Sequence, residues 1–366
     1  MARKLKSDNV MFIATILLVA LSVVMVYSAS APMALERYGQ ASIFLEKQAM
    51  WAALGLPMLW LLMKVDYRTY RQPIVIWSCL GLVTVALVAV LFSPPINSAR
   101  RWFGVAGLGL QPSEFAKLAT IFFIAAILER RMHRIDEVTY SLSAIGIVVV
   151  ALVGLILLEP DFGTSMTLLL IASAMVFAAG LHYRYILGAL LAVLPAVYII
   201  AMGASYRRRR LLAFLNPWDD PLGDGFQVIQ SMIAVGTGGV WGRGLMNGVQ
   251  KLFYLPEPHT DFIYAVISEE LGLIGATAVI LCFSIITWRG LRAAFRAPDS
   301  FGAFLAVGLT TMIAVQALLN ISVVLGLIPT KGIPLPFISM GGSSLLVNLV
   351  GMGILLNVSQ HASPEV

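Results

Sequence analysis

About ten apolar runs of roughly 17 to 25 residues recur along the chain, each long enough to cross the hydrocarbon core of a bilayer as a helix. They cover approximately 10–29, 46–64, 74–93, 113–129, 140–158, 165–181, 184–203, 262–288, 303–327 and 340–358. In lipid the backbone has no water to bond to, so such runs fold as helices that satisfy their own N–H and C=O groups. Composition agrees: of 366 residues, 59% are hydrophobic and 12% charged, where a soluble domain carries about 25% charged residues. The expected fold is an all-α polytopic membrane protein with about ten transmembrane helices, forming a single transmembrane domain over 1–366.

An even number of spans puts both termini on one side, and Lys and Arg say which. About thirteen of them flank the spans on the N-terminal side, from Arg3, Lys4 and Lys6 through Arg130, Arg131 and Arg134 to Arg289, Arg292 and Arg296, against about five in the opposite short loops. Segment 1–9 and the tail 359–366 are therefore expected in the cytoplasm. The first run follows MARKLK with no small-residue cleavage site, so it reads as a retained span rather than a removed signal peptide. Cys79 and Cys282 lie in separate apolar runs and no spaced Cys/His set exists, so neither a disulfide framework nor a zinc site is suggested.

One long extracytoplasmic loop, 204–261, joins the seventh and eighth spans. It opens with the basic run Arg207 to Arg210 and passes through the turn-rich NPWDDPLGDG (216–225). FQVIQSMIAVG (226–236) then fits a short amphipathic or re-entrant helix, before the glycine-rich GTGGVWGRG (236–244). No part of the loop is long enough to fold alone, so it must fold onto the helix bundle.

Against this apolar background, ionisable residues stand out. At membrane depth an acid costs on the order of +2.5 to +3.5 kcal/mol, so each one needs a reason. Asp261 follows His259 and Thr260 at the outer end of the eighth run, where it reads either as a general base or as a helix-cap acid. Glu269 and Glu270 lie about 12 Å further along the same helix, as a gate on a polar path or as partners in a structural ion pair. Glu114 and Lys117 share one helix face and can neutralise each other. Pro112 suits the first position of that helix. Arg100 and Arg101, beside Trp102, and Arg207 to Arg210 can each hold a phosphate or anchor lipid headgroups. Turn formation explains Pro160 and Gly163 but not the acids Glu159 and Asp161 beside them. The last outer loop carries Lys331, and its Gly341, Gly342, Ser343 and Ser344 offer either ligand donors at a helix start or close helix packing.

These strings together resemble the SEDS family of bacterial cell-wall proteins. The match is carried by ARRWFG (99–104), QPSEFAKL (111–118), EPDFGT (159–164), NPWDDPLGDGFQVIQS (216–231), KLFYLPEPHTDFIYAVISEELGLIG (251–275), IPTKG (328–332) and PLPFISMGGSSLL (334–346). Several long motifs in the right order are far more specific than any one of them. Met340 departs from the family's usual Tyr, and the motifs around Asp261 and Ser343 resemble the cell-division branch more than the elongation branch, with a spore-cortex branch also close.

The resemblance implies a peptidoglycan glycosyltransferase of the bacterial inner membrane that polymerises lipid II, the undecaprenyl-diphosphate-linked disaccharide pentapeptide, at the division septum. It implies Asp261 as the catalytic acid, and Arg101, Glu114, Lys117, Asp161, Arg210, His259, Lys331, Ser343 and Ser344 as candidates for the substrate cavity. The charge on the leaving group can be met by Arg101, by the 207–210 cluster, or by a divalent cation, Mg or Mn, as cofactor. The implied partners are a class B penicillin-binding protein (an FtsI-like transpeptidase), other divisome membrane proteins and membrane lipids, with no nucleic acid. Two other classes use the same features: a lipid II flippase, which needs a charged cavity but no base, and a scaffold that only recruits the transpeptidase.

Overall fold

A computed structural model describes residues 7–95, 100–105, 108–132, 140, 142–185, 187–188, 191, 213–223 and 225–362. Its helices are α1 (Asn9–Tyr38), α2 (Ile43–Leu62), α3 (Pro73–Val90), α4 (Pro112–Arg131), α5 (Ser143–Leu158), α6 (Phe162–Ala178), α7 (Phe226–Thr237), α8 (Ile263–Phe295), α9 (Ser300–Val324) and α10 (Gly342–His361). All but α7 coincide with an expected apolar run, and α7 is the short helix expected inside the long loop. The seventh run, 184–203, falls mostly outside the described residues. Five of the helices, α1, α3, α8, α9 and α10, are long and apolar enough to cross a membrane. The chain is a multi-pass membrane protein.

Local chemistry sets the helix ends. Asp8 caps α1, accepting from the Val10 and Met11 N–H groups at 3.1 Å, and Asp299 caps α9, accepting from Gly302 N–H at 2.7 Å. Pro112 opens α4 as expected, because the first turn has no use for its missing N–H. Gly39, at φ 71°, closes α1 between two and three turns beyond the expected end. One departure from an all-helical chain is a small antiparallel hairpin, β1 (Phe103–Val105) on β2 (Leu108–Leu110), in what reads as a plain loop by sequence. Three-residue strands are too short to register as an alternating pattern.

The core is centred on α4 and α10, buried on nearly every face, whereas α3 leaves Ile74, Trp77, Leu82 and Val85 exposed. Those exposed apolar side chains suit lipid rather than water. At one end of the bundle converge the N-termini of α4, α6, α8 and α10 and the C-termini of α5 and α9, joined by contacts of Gln111 with Asp161 and Ser343 and of Asn320 with Asp261. This is the end that carries the singled-out residues.

The main irregularity is in α8, which breaks at Gly272 (φ 66°, ψ −163°). A helix break strands carbonyls that lipid cannot satisfy. Here the glycine-rich stretch of the long loop crosses the gap: Arg243 N–H and Gly244 N–H donate to the carbonyls of Glu269 and Glu270 at 3.0 Å each, and Leu273 N–H donates to Gly239 O at 2.9 Å. The approach is backbone to backbone, so a side chain on Gly242 would collide with Glu270 O. The glycines serve close approach here.

Candidate active site

Asp261 lies two residues before α8, partly buried, in a turn tied down at successive residues. Met340 N–H donates to His259 O at 2.9 Å, Ser339 Oγ to Thr260 O at 2.6 Å, and Asn320 Nδ2 to Asp261 O at 2.8 Å. The same Asn320 amide donates to Ile333 O at 2.8 Å, so one side chain of α9 fastens two loops together. As a result Gly332 sits flush against the acid, where a Cβ would lie 3.1 Å from Asp261 Oδ2.

Next to Gly332 stands the turn between α5 and α6. A Cβ on Gly163 would lie 2.8 Å from Ile333 Cγ1 and 3.3 Å from Gly332 O. Asp161 caps α6, accepting from Thr164 N–H at 3.0 Å and Thr164 Oγ1 at 2.8 Å, and it also accepts from Gln111 Nε2 at 2.8 Å. Arg101 grips the same turn: its Nε donates to Glu159 O at 3.0 Å and its Nη2 to Pro160 O at 2.7 Å. Because two of its five N–H donors are spent on fixed carbonyls, the guanidinium is held in one orientation with donors to spare.

Glu159 is fully buried, and neither of its carboxyl oxygens has a hydrogen-bond partner among the described residues. Burial, reinforced by the charge of Asp161 and only partly opposed by Arg101, pushes its pKa up to about 8. It is therefore a neutral carboxylic acid at neutral pH.

The other expected residues divide. Glu114 and Lys117 form a fully buried ion pair at 2.9 Å inside α4, next to Ser113, whose hydroxyl is 3.4 Å from Asp161 Oδ2. His259 is buried and its ring packs on Phe44 at 4.7 Å between centroids. Burial, and secondarily Arg37, lowers its pKa to about 4, so it is neutral. Lys331 is partly buried with Nζ 3.0 Å from Met166 Sδ, and burial lowers its pKa. Ser343 accepts from Gln111 N–H at 3.1 Å and donates to Gly109 O at 3.3 Å, which joins the hairpin to α10. Ser344 is buried and accepts from Asn348 Nδ2 at 3.3 Å. Arg210, with the rest of 207–210, lies outside the described residues.

Glu269 and Glu270 face a different task. Their carboxylates hold backbone N–H groups of the 246–250 segment and Lys251, away from the Asp161 turn. Sequence reasoning passed over Gln111, Asn320 and Gly332. Asn320 did carry a signal, a carboxamide deep in an apolar run; Gly332 carried none, since its role depends on what the fold sets against it. Among the described residues no three His, Cys, Asp or Glu side chains come together in a way that could hold a metal ion.

A family model described as "Cell cycle protein", covering FtsW, RodA and SpoVE, matches residues 8–364. The chain belongs to the FtsW/RodA/SpoVE family. A relative in Geobacter metallireducens, named "Probable peptidoglycan glycosyltransferase FtsW", is 44% identical over 96% of this chain and 94% of its own length. "Stage V sporulation protein E" of Bacillus subtilis is 43% identical over 98% and 99%. Among solved structures, a chain from "Structural coordination of polymerization and crosslinking by a peptidoglycan synthase complex" superposes with TM-score 0.78 at 32% identity, covering 96% of this chain and 97% of that one. Thermus thermophilus RodA superposes with TM-score 0.71 at 26% identity, covering 98% of each. The family's SEDS motifs are thus distributed over a fold that this chain shares from end to end.

Proposed function

We propose that this FtsW/RodA/SpoVE protein is a peptidoglycan glycosyltransferase that polymerises lipid II into glycan strands at the outer face of the bacterial cytoplasmic membrane, at the division septum. One observation carries the reading: the Asp261 carboxylate sits against Gly332 at the end of the bundle where the Arg101-held turn of Glu159 and Asp161 also meets the Gly332–Ile333 backbone. The names of the relatives in Geobacter metallireducens and Bacillus subtilis and of the synthase complex support it. The topology that goes with this reading has about ten spans, cytoplasmic termini and an extracytoplasmic 204–261 loop.

In the reaction, Asp261 accepts the proton of the acceptor GlcNAc 4-hydroxyl as that oxygen attacks the MurNAc anomeric carbon of the donor. The bond to undecaprenyl diphosphate breaks with inversion, and the departing diphosphate carries the negative charge. Such a displacement needs one base and a stabilised leaving group, not a covalent nucleophile. Arg101, oriented by its two carbonyl contacts, is the described cation best arranged for that charge, with Lys331, next in the chain to Gly332, as the second. The described residues do not fit a protein cage for Mg or Mn, so no step depends on one; a required cation would come mainly on the substrate's phosphates. A class B penicillin-binding protein supplies the transpeptidase.

The test is polymerisation of labelled lipid II by purified protein in detergent, with and without the class B partner. Wild type makes glycan polymer, and Asp261→Asn folds with unchanged thermal stability but makes none. Absence of polymer from wild type with its partner would favour a flippase, while substantial polymer from Asp261→Asn would eliminate Asp261 as the base.

A further inference from the structure

Glu269 and Glu270 each contribute twice to one wrapping. Their carbonyls accept from Arg243 and Gly244 N–H at 3.0 Å, across the break at Gly272. Their carboxylates take the amides that follow: Glu270 accepts from Met246 N–H at 3.0 Å, and Glu269 from Val249 N–H at 2.8 Å and Gln250 N–H at 3.2 Å. Lys251 Nζ then pairs with Glu270 at 2.6 Å and donates to Ser28 Oγ of α1 at 2.9 Å, while Ser28 Oγ also lies 2.7 Å from the Glu270 carboxylate. Ser28, Lys251, Glu269 and Glu270 are all buried.

This arrangement closes a loop. The segment leaves the carboxylates of residues 269 and 270, passes through Met246, Phe253 and Glu257, all non-glycine residues at positive φ, and returns through Asp261 into the helix that bears those same carboxylates. Left-handed backbone at non-glycine residues persists only where the surroundings over-determine it. Both ends of the loop are anchored to one stretch of α8, and the break at Gly272 separates that stretch from the rest of the helix.

We propose that Ser28, Lys251, Glu269 and Glu270 are positioning residues for Asp261: they close 246–271 into one unit, pin it to α1, and so set where the acid stands. This rests on the reading of Asp261 as the base. The Lys251–Glu270–Ser28 contact is the pin between that unit and α1, and the Glu269 and Glu270 carboxylates are its internal clasp. Loosening the pin leaves Arg101 and Lys331 in place for the diphosphate but lets the acid wander, so turnover suffers more than substrate binding.

The test uses full-length protein with its class B partner and two independent readouts. Glu270→Gln keeps shape and one acceptor oxygen, Lys251→Met keeps length, and Ser28→Ala removes only a hydroxyl, so it stays informative where the buried charge variants fail to fold. Expected for each is a kcat lowered about tenfold or more for the charge variants and severalfold for Ser28→Ala, with KM within about twofold. The double variant Lys251→Met/Glu270→Gln is no worse than the poorer single, as for residues acting as a unit. Independently of activity, hydrogen exchange across 246–261 speeds up in all three variants while the α4 and α10 amides stay protected. Unchanged exchange in the loop, or KM rising with kcat intact, overturns the proposal. Accelerated exchange alongside an active Asp261→Asn instead upholds the latch and removes the reading of Asp261 on which its catalytic role rests.

Discussion

Gly332 offers the sharpest probe of the site, because its role is spatial. It is exposed, its φ lies outside the left-handed region, and the nearest obstacle to a Cβ is Asp261 Oδ2 at 3.1 Å. Ordinary contact begins at 3.4 Å, so alanine asks the carboxylate to give way by about 0.3 Å. If a misplacement of about 1 Å costs about 100-fold in rate, 0.3 Å costs about fourfold. Valine adds methyl groups roughly 1.5 Å further out and pushes the displacement past about 1 Å, for a loss on the order of 100-fold. Stability should hardly register either change, since exposed substitutions without backbone strain stay within about 0.5 kcal/mol. The assay is lipid II polymerisation at saturating substrate beside thermal unfolding of the same preparations. A graded fall in kcat, glycine above alanine above valine, with unmoved melting temperatures is the expected outcome. Gly332→Val with wild-type kcat would refute the argument that Asp261 acts from the position the Gly332 backbone defines.

Two other perturbations read different layers of the structure. An acid whose folded pKa exceeds its unfolded value favours the fold while protonated, so the contribution of Glu159 is present below its ordinary 4.5 and is lost as pH rises towards about 8. Glu159→Gln removes that loss, and its melting temperature should gain on wild type between about pH 5 and 8; parallel curves would show that Glu159 does not titrate in this window. The Lys117–Glu114 pair is buried at both ends, so Lys117→Met strands the Glu114 charge and should cost about 3 to 5 kcal/mol, whereas Lys117→Met/Glu114→Gln recovers much of the loss. Equal melting temperatures for the single and double variants would count against a closed pair.

The membrane class, most helix positions and the start of α4 at Pro112 were legible in the sequence because they depend on local properties: length of apolar run, periodicity and turn chemistry. Asp261, Arg101, Asp161 and the Glu114–Lys117 pair stood out for the same reason, as charges where charge is costly. Their partners were not legible. That Gly332 abuts Asp261, that Asn320 ties the 261 turn to Ile333, and that Arg101 grips the carbonyls of residues 159 and 160 are contacts between segments that are mostly more than 50 positions apart, and apolar periodicity carries no information on which segments meet. The acids at 269 and 270 show the division most clearly. Sequence alone established that two carboxylates sit in an apolar helix and need partners. Only the tertiary structure decided that the partners are Ser28, Lys251 and the amides of a crossing loop, because a break at Gly272 opens the helix to that loop and buried charge must be satisfied by whatever chain the fold brings within reach.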